Sequence, residues 1–276
     1  MKKNRKEFLI CVDSDGCAID TMDIKHHQCF GPLVIEEWRL EQWREELLER
    51  WNEINLYSKT RGINRFQGLS QILGEVHQTR QKIDGLEMYQ QWIRQTKELS
   101  QPELLRYAEE MGRENGICLW KALSWSKKVN EAVNQISDQE KRAFSGVLEA
   151  LKKASTLADL VVVSSANRQA VLQEWEQNEL AQYVSLFFAQ EAGTKSHCIG
   201  KLKSKYASDK ILFVGDAVGD LRAARENQIL FYPILAGQEE VSWKKFEQTM
   251  ELFFSGCYGG EIQKQQMRCF WSNFKE

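Results

Sequence analysis

A few residues able to do chemistry stand out because each follows directly on an apolar run. The stretch FLICVDSDGCAID (residues 8–20) ends its run with Asp13, Asp15 and Gly16, and Asp20 follows shortly after. DLVVVSSAN ends in Ser164 and Ser165, YVSLFFAQ is followed by EAGTKS with Lys195, and KILFVGDAVGD ends in Asp216 and Asp220. Carboxylates at this density repel one another, and a soluble chain has less costly ways to end a strand. They become tolerable around a hard divalent cation, and magnesium takes one or two carboxylates together with phosphate oxygens of a substrate. The crowding therefore makes sense if a divalent metal sits among these residues. Asp20 has an ordinary alternative as the cap of the helix that follows.

For these side chains to act together, the segments carrying them must deliver them to one edge. From about residue 141 apolar runs alternate with helix-like stretches: FSGVLEALKKAS, DLVVV, residues 169–182, YVSLFFAQ, a further helix, KILFVG, RAARENQ and ILFYPIL. Such alternation implies parallel βαβ units and a sheet covered on both faces. In open α/β sheets the ligand site lies beyond the carboxyl ends of the strands, which is where the polar residues fall. The run at residues 7–13 belongs to the same sheet, although almost nothing strand-like separates residues 22 and 140. Leu40, Trp43, Leu47, Trp51 and Ile54 recur at helical spacing and predict one amphipathic helix. Leu86, Tyr89, Trp92 and Ile93 predict another, and Val129, Ala132, Val133 and Ile136 a third, with the tryptophans as core. KHHQCFGP, punctuated by Gly31-Pro32, reads as a hinge. Residues 241–274 read as two helices broken by GCYGG. The expected organisation is a Rossmann-like parallel-sheet core from residues 1–22 and 141–240. A large all-helical segment, 23–140, is inserted after the first strand, and a helical extension, 241–276, packs on the core.

The four pieces, each after an apolar run and in this order, resemble the haloacid dehalogenase-like superfamily. DSDGCAID matches its DxDG motif, VVVSSAN its second motif, Lys195 its third and GDAVGD its fourth. A helical insertion after the first motif is what that superfamily calls a C1 cap. The resemblance implies an HAD-like α/β core and a Mg2+-dependent phosphatase. It implies Asp13 as nucleophile, forming an aspartyl-phosphate, with Asp15 as general acid and then general base. It implies magnesium on the Asp13 carboxylate, the Asp15 backbone carbonyl and Asp216, and phosphoryl binding by Ser164 and Lys195. Asp220 is then expected to orient Lys195 or a metal-bound water. An acid at position 15 favours phosphate esters, since the superfamily's dehalogenases lack one there. The usual threonine after DxDG is Cys17 here, read as a packing substitution.

Alternatives stand beside these assignments. Ser165 competes with Ser164 for phosphate, and Lys201 or Lys203 with Lys195. The basic stretch KTRGINRF offers Arg61 and Arg65, with Lys59, to an anionic substrate, or is a solvated face. Reaction alternatives are a phosphomutase resembling β-phosphoglucomutase and a catalytically silent binding protein. A formal net charge of −2, from 37 basic and 39 acidic residues, argues against a nucleic-acid binder. The apolar run behind the basic start is too short for a secretion signal, and no stretch is long enough to span a membrane. Seven cysteines without CxxC pairing read as reduced thiols of a cytoplasmic protein. The partner expected is a small phosphorylated molecule; the sequence carries no signal of oligomeric state.

Overall fold

The computed structural model describes residues 5–275; the first four residues of the basic start, and Glu276, lie outside the described residues. The chain divides into two compact units, one running to Asp23 and resuming at Ser137, the other Ile24–Ile136.

The first unit is built on five strands: β1 (Phe8–Val12), β2 (Ala158–Val163), β3 (Leu186–Phe188), β4 (Ile211–Gly215) and β5 (Leu230–Pro233). They form one sheet in the order β3-β2-β1-β4-β5, every pairing parallel. Each run is rich in Val, Ile, Leu and Phe because both faces are covered. Alternation sorts the side chains. Ile10, Val12, Leu160, Val162, Leu212 and Val214 face one way and share a core with Trp175, Trp243, Phe246 and Phe253. Leu9, Cys11, Val161, Val163, Ile211 and Phe213 face the other way, towards Ile199, Leu202, Leu221 and Phe270. The helices supplying these partners are Val147–Leu157, Arg168–Gln177 and Glu239–Phe254 on the first face, and Lys195–Lys203, Val218–Glu226 and Gly260–Ser272 on the second. The two C-terminal helices therefore cover opposite faces of the sheet.

Strand order reverses at β1, whose neighbours are β2 on one side and β4 on the other. That makes the carboxyl ends of β1 and β4 the switch point, where ligands bind in sheets of this kind. The chain leaves this unit just after β1 and returns beside its own exit. Asp20 N–H donates to Arg142 O at 2.7 Å and Phe144 N–H to Ala18 O at 3.1 Å.

The second unit is helical, with α-helices Gly31–Trp38, Arg44–Asn52, Arg65–Thr79, Leu86–Gln95, Gln101–Asn115 and Ile117–Gln135. Trp51, Trp92 and Trp125 are buried in its core with Phe66 and Tyr89. Phe30, Trp51, Phe66 and Trp125 meet edge to face or stacked, as aromatic quadrupoles favour.

Three expectations need correction. Leu40 to Ile54 is not one helix: a 3-10 turn (Glu41–Trp43), an α-helix (Arg44–Asn52) and a π-helical turn (Glu53–Tyr57) follow one another. Arg39 is left-handed (φ 55°), and Trp43 leaves the helical region (φ −120°, ψ 20°), breaks that apolar spacing does not reveal. Gly31-Pro32 does not interrupt the chain, because Pro32 sits in the first turn of a helix, where its missing N–H is tolerated. YVSLFFAQ yields a strand of only three residues, Leu186–Phe188, at the sheet edge, where one side lacks a partner.

Candidate active site

The parallel register sets the site. Val12 lies opposite Val214, so the residues that follow, Asp13 and then Gly215-Asp216, emerge side by side at the switch point. Asp13 N–H donates to Val214 O at 3.0 Å, extending the ladder one residue beyond the strand. Asp13 and Asp216 are buried, at 5% and 1% exposure.

The β4 turn depends on its glycine. A Cβ on Gly215 would stand 2.6 Å from Asp220 Cβ and Oδ2, closer than side chains approach. Its absence lets Asp220, the third residue of the helix Val218–Glu226, fold back. Asp220 Oδ2 accepts the Ala217 N–H at 3.1 Å, as an acid in a helix's first turn does. Its Oδ1 accepts from Lys195 Nζ at 2.6 Å.

Lys195 opens the helix Lys195–Lys203 behind Thr194, whose hydroxyl accepts the His197 N–H at 3.2 Å. A cation at a helix N-terminus opposes the macrodipole, so its presence there needs another cause. The cause is the pair of acids it reaches: Nζ lies 2.8 Å from Asp13 Oδ2 and 2.6 Å from Asp220 Oδ1. Burial works against the charge on Lys195, but Asp13 and Asp220 outweigh it and hold the ammonium above its ordinary pKa. Asp13 is shifted the other way for an acid. Burial pushes its carboxyl well above the usual range, Lys195 pulls it back, and Asp220 and Asp216 push it up again.

Asp13, Asp216 and Asp220 bring carboxylate oxygens within 4.8 Å of one another. Three buried carboxylates thus crowd together, two of them in contact with one ammonium. Hard oxygen donors so grouped match one divalent cation such as magnesium, which needs only one or two carboxylates and keeps water in its other positions. Both Asp220 oxygens are already engaged, so Asp13 and Asp216 are the acids that suit the ion. The donor set fits the group.

The loop after Asp13 is wound tightly. Ser14 O accepts the N–H groups of Cys17, Ala18 and Ile19 at 3.2, 2.9 and 2.9 Å, and Gly16 turns left-handed at φ 75°. Asp15 lies half-buried beyond Asp13, and its Oδ1 accepts from the hydroxyl of buried Thr21 at 3.1 Å. Cys17 donates its S–H to Val214 O at 3.6 Å. Burial and the acids at 216, 13 and 220 push its thiol far up, so it is inert packing. Ser14 Oγ accepts the Trp175 indole N–H at 2.9 Å.

At the end of β2, Ser164 is buried and its Oγ accepts the Ala166 N–H at 3.1 Å, whereas Ser165 is exposed. Lys201 lies exposed on the helix that Lys195 begins. Arg61 and Arg65 belong to the helical unit. Arg61 is 3% exposed, with Nη1 donating to Leu56 O at 2.9 Å. Arg65 stands over the Phe30 ring at 5.0 Å and donates to Asn130 Oδ1 at 2.7 Å. Sequence reasoning missed Thr21, Trp175 and Trp243, whose indole donates to Cys17 O at 2.8 Å. For the two tryptophans no local pattern could have served, since their partners lie 161 and 226 positions away.

With this geometry in hand, comparison with known families is decisive. The haloacid dehalogenase-like hydrolase family matches residues 76–233, more than half of the chain. The chain belongs to that family. The match takes in Ser164, Lys195, Asp216 and Asp220, while Asp13 and Asp15 lie ahead of it. The HAD-like fold recurs in solved structures. One is a hydrolase from Pseudomonas syringae, 14% identical, covering 89% of this chain and 99% of that one with a TM-score of 0.51. Another is a predicted phosphoglycolate phosphatase from Haemophilus somnus, 13% identical, covering 91% and 100% with a TM-score of 0.50. A third is a haloacid dehalogenase-like family hydrolase from Xanthomonas campestris, 11% identical, covering 96% and 98% with a TM-score of 0.50. Comparison with curated proteins gave no match. Among the described residues no helix of this HAD-like chain is long and apolar enough to cross a membrane.

Proposed function

We propose that this HAD-like hydrolase is a magnesium-dependent phosphatase acting on a small phosphorylated metabolite through an aspartyl-phosphate. The observation that supports this reading is the buried convergence of Asp13, Asp216 and Asp220, with Lys195 in contact with Asp13 and Asp220. A structural ion pair would need one acid beside the lysine, and here three converge. Magnesium would be held by Asp13, Asp216 and the Asp15 backbone carbonyl, and when bound it supplies neutralisation of the phosphoryl oxygens during transfer.

An Asp13 carboxylate oxygen attacks phosphorus as the ester P–O bond breaks, giving the acyl phosphate and the free alcohol. Asp15, steadied by Thr21, gives its proton to the departing oxygen. It then takes a proton from the water that attacks the same phosphorus, releasing phosphate and restoring Asp13. Lys195 faces the phosphoryl oxygens as a point charge while Asp220 holds its ammonium in place. The Ser164 oxygen already accepts from Ala166, and its own O–H is directed to phosphate. All seven cysteines are free, which suits a reducing, cytoplasmic location.

The test is hydrolysis of p-nitrophenyl phosphate, then of a panel of sugar phosphates, nucleotides and phosphoglycolate, with magnesium and with chelator. The expected outcome is magnesium-dependent release of phosphate that Asp13→Asn abolishes. Activity indifferent to Asp13, or transfer within a sugar phosphate without release of phosphate, would contradict it.

A further inference from the structure

We propose that Trp243, on the C-terminal helix Glu239–Phe254, is a positioning residue for the nucleophile loop. On this assignment the C-terminal extension is part of the catalytic apparatus and not only a cover for the sheet; it rests on the phosphatase reading.

The observations converge on one peptide group. The Trp243 indole N–H donates to Cys17 O at 2.8 Å, and the ring is 1% exposed. The Cys17 side chain is held as well, its S–H donating to Val214 O on β4. Residue 17 is thus clamped between the C-terminal helix and the strand that delivers Asp216. It directly follows Gly16, the left-handed residue whose turn sets where Asp15 points.

Trp243 is itself fixed. Tyr232, on β5, donates its hydroxyl to Ser242 O at 2.6 Å. Ser242 Oγ accepts the Leu235 N–H at 3.0 Å. The indole packs edge-on against Phe246, with centroids 5.4 Å apart. Gly146 (φ 91°) lies against it, a Cβ there coming within 3.5 Å of Trp243 Cβ. The end of β5 therefore aims the indole, and the indole aims the loop. A side chain serving only to cover the sheet needs no N–H. The family match ends at residue 233, so the device belongs to a part of this chain outside it.

A loop carrying an acid–base residue must hold it in reacting geometry, and a displacement of about 1 Å can cost about 100-fold in rate. Trp243→Phe keeps the ring packing and removes only the donor. Its control is Phe253→Leu on the same helix, buried against the same face and remote from the loop in sequence.

Two readouts are taken on each: steady-state hydrolysis of p-nitrophenyl phosphate with magnesium, and hydrogen exchange of the amides of Gly16 to Ile19. Trp243→Phe is expected to lower kcat by about 10- to 100-fold with KM unchanged and to speed exchange at those amides. Phe253→Leu lowers Tm but alters neither. Unchanged exchange in Trp243→Phe overturns the proposal, as does an equal loss of kcat in both variants or unchanged kcat in an active protein. If the unsubstituted protein releases no phosphate, the phosphatase reading fails separately, and the exchange measurement still decides whether Trp243 orders the loop.

Discussion

Lys195 carries more of the cluster's electrostatics than any other single side chain, since it touches two of the three acids. Replacing it with methionine leaves Asp13 and Asp220 buried without their counter-charge. Breaking such a pair from one side costs about 3–5 kcal/mol, and phosphate hydrolysis should fall to background. The deficit should be largest near neutrality and shrink under acidic conditions, where the abandoned Asp13, its carboxyl pushed up by burial, takes up a proton; urea unfolding at the two conditions measures it. The Asp13 carboxyl gives a second prediction. Its folded-state pKa is raised by burial, so between the ordinary carboxylate value and that raised value it holds a proton. A cation must displace this proton, and magnesium affinity should therefore weaken as pH falls through that window, with proton release on binding. Calorimetry in buffers of different ionisation enthalpy reads both; affinity independent of pH would contradict the assignment of Asp13 as a ligand. These residues were legible in the sequence because each terminates an apolar run, and a parallel sheet brings such termini to one edge. The two tryptophans were not, because a donor aimed at a loop far away in the chain leaves no local pattern; Thr21 was not because the tight turn at Gly16 that brings it onto Asp15 is a backbone feature.

Among the elements, the β4-to-helix turn is the most constrained. Gly215→Ala places a methyl group against Asp220 and should cost about 1–3 kcal/mol by overpacking. It should also lower kcat by loosening the Asp220–Lys195 contact; denaturant unfolding beside steady-state kinetics tests this. Retention of full activity would show that Asp220 has room the structure does not suggest. The five strands could be read from composition because a sheet covered on both faces must be apolar throughout. β3 came out shorter than its apolar run because it lies at the edge, where Leu186 is 40% exposed. The helix expected from Leu40 to Ile54 failed for a different reason. Apolar spacing reports which face is buried, and the Leu47, Trp51 and Ile54 face is indeed buried, but it is blind to the left-handed turn at Arg39 just before the segment and to the backbone break at Trp43 within it.

Over the whole molecule, one hydrophobic core lies on each face of the sheet and a third fills the helical unit, so each unit's stability rests on its own large side chains. Trp125→Ala, at the centre of the aromatic cluster of the helical unit, should destabilise that unit by about 3–5 kcal/mol, read by thermal unfolding. Magnesium should raise Tm of the unsubstituted protein, by about 2.7 kcal/mol of stability at a hundred times its Kd. Asp216→Asn should lose that increment while remaining folded. The measurement that bears most directly on the central claim is a rapid acid quench of the enzyme turning over substrate, followed by borohydride reduction and peptide mapping. An acyl phosphate on Asp13 is reduced to homoserine at that position, and the account predicts this change only in samples given substrate and magnesium. Turnover without any modification at Asp13, or with the modification at another acid, would contradict it.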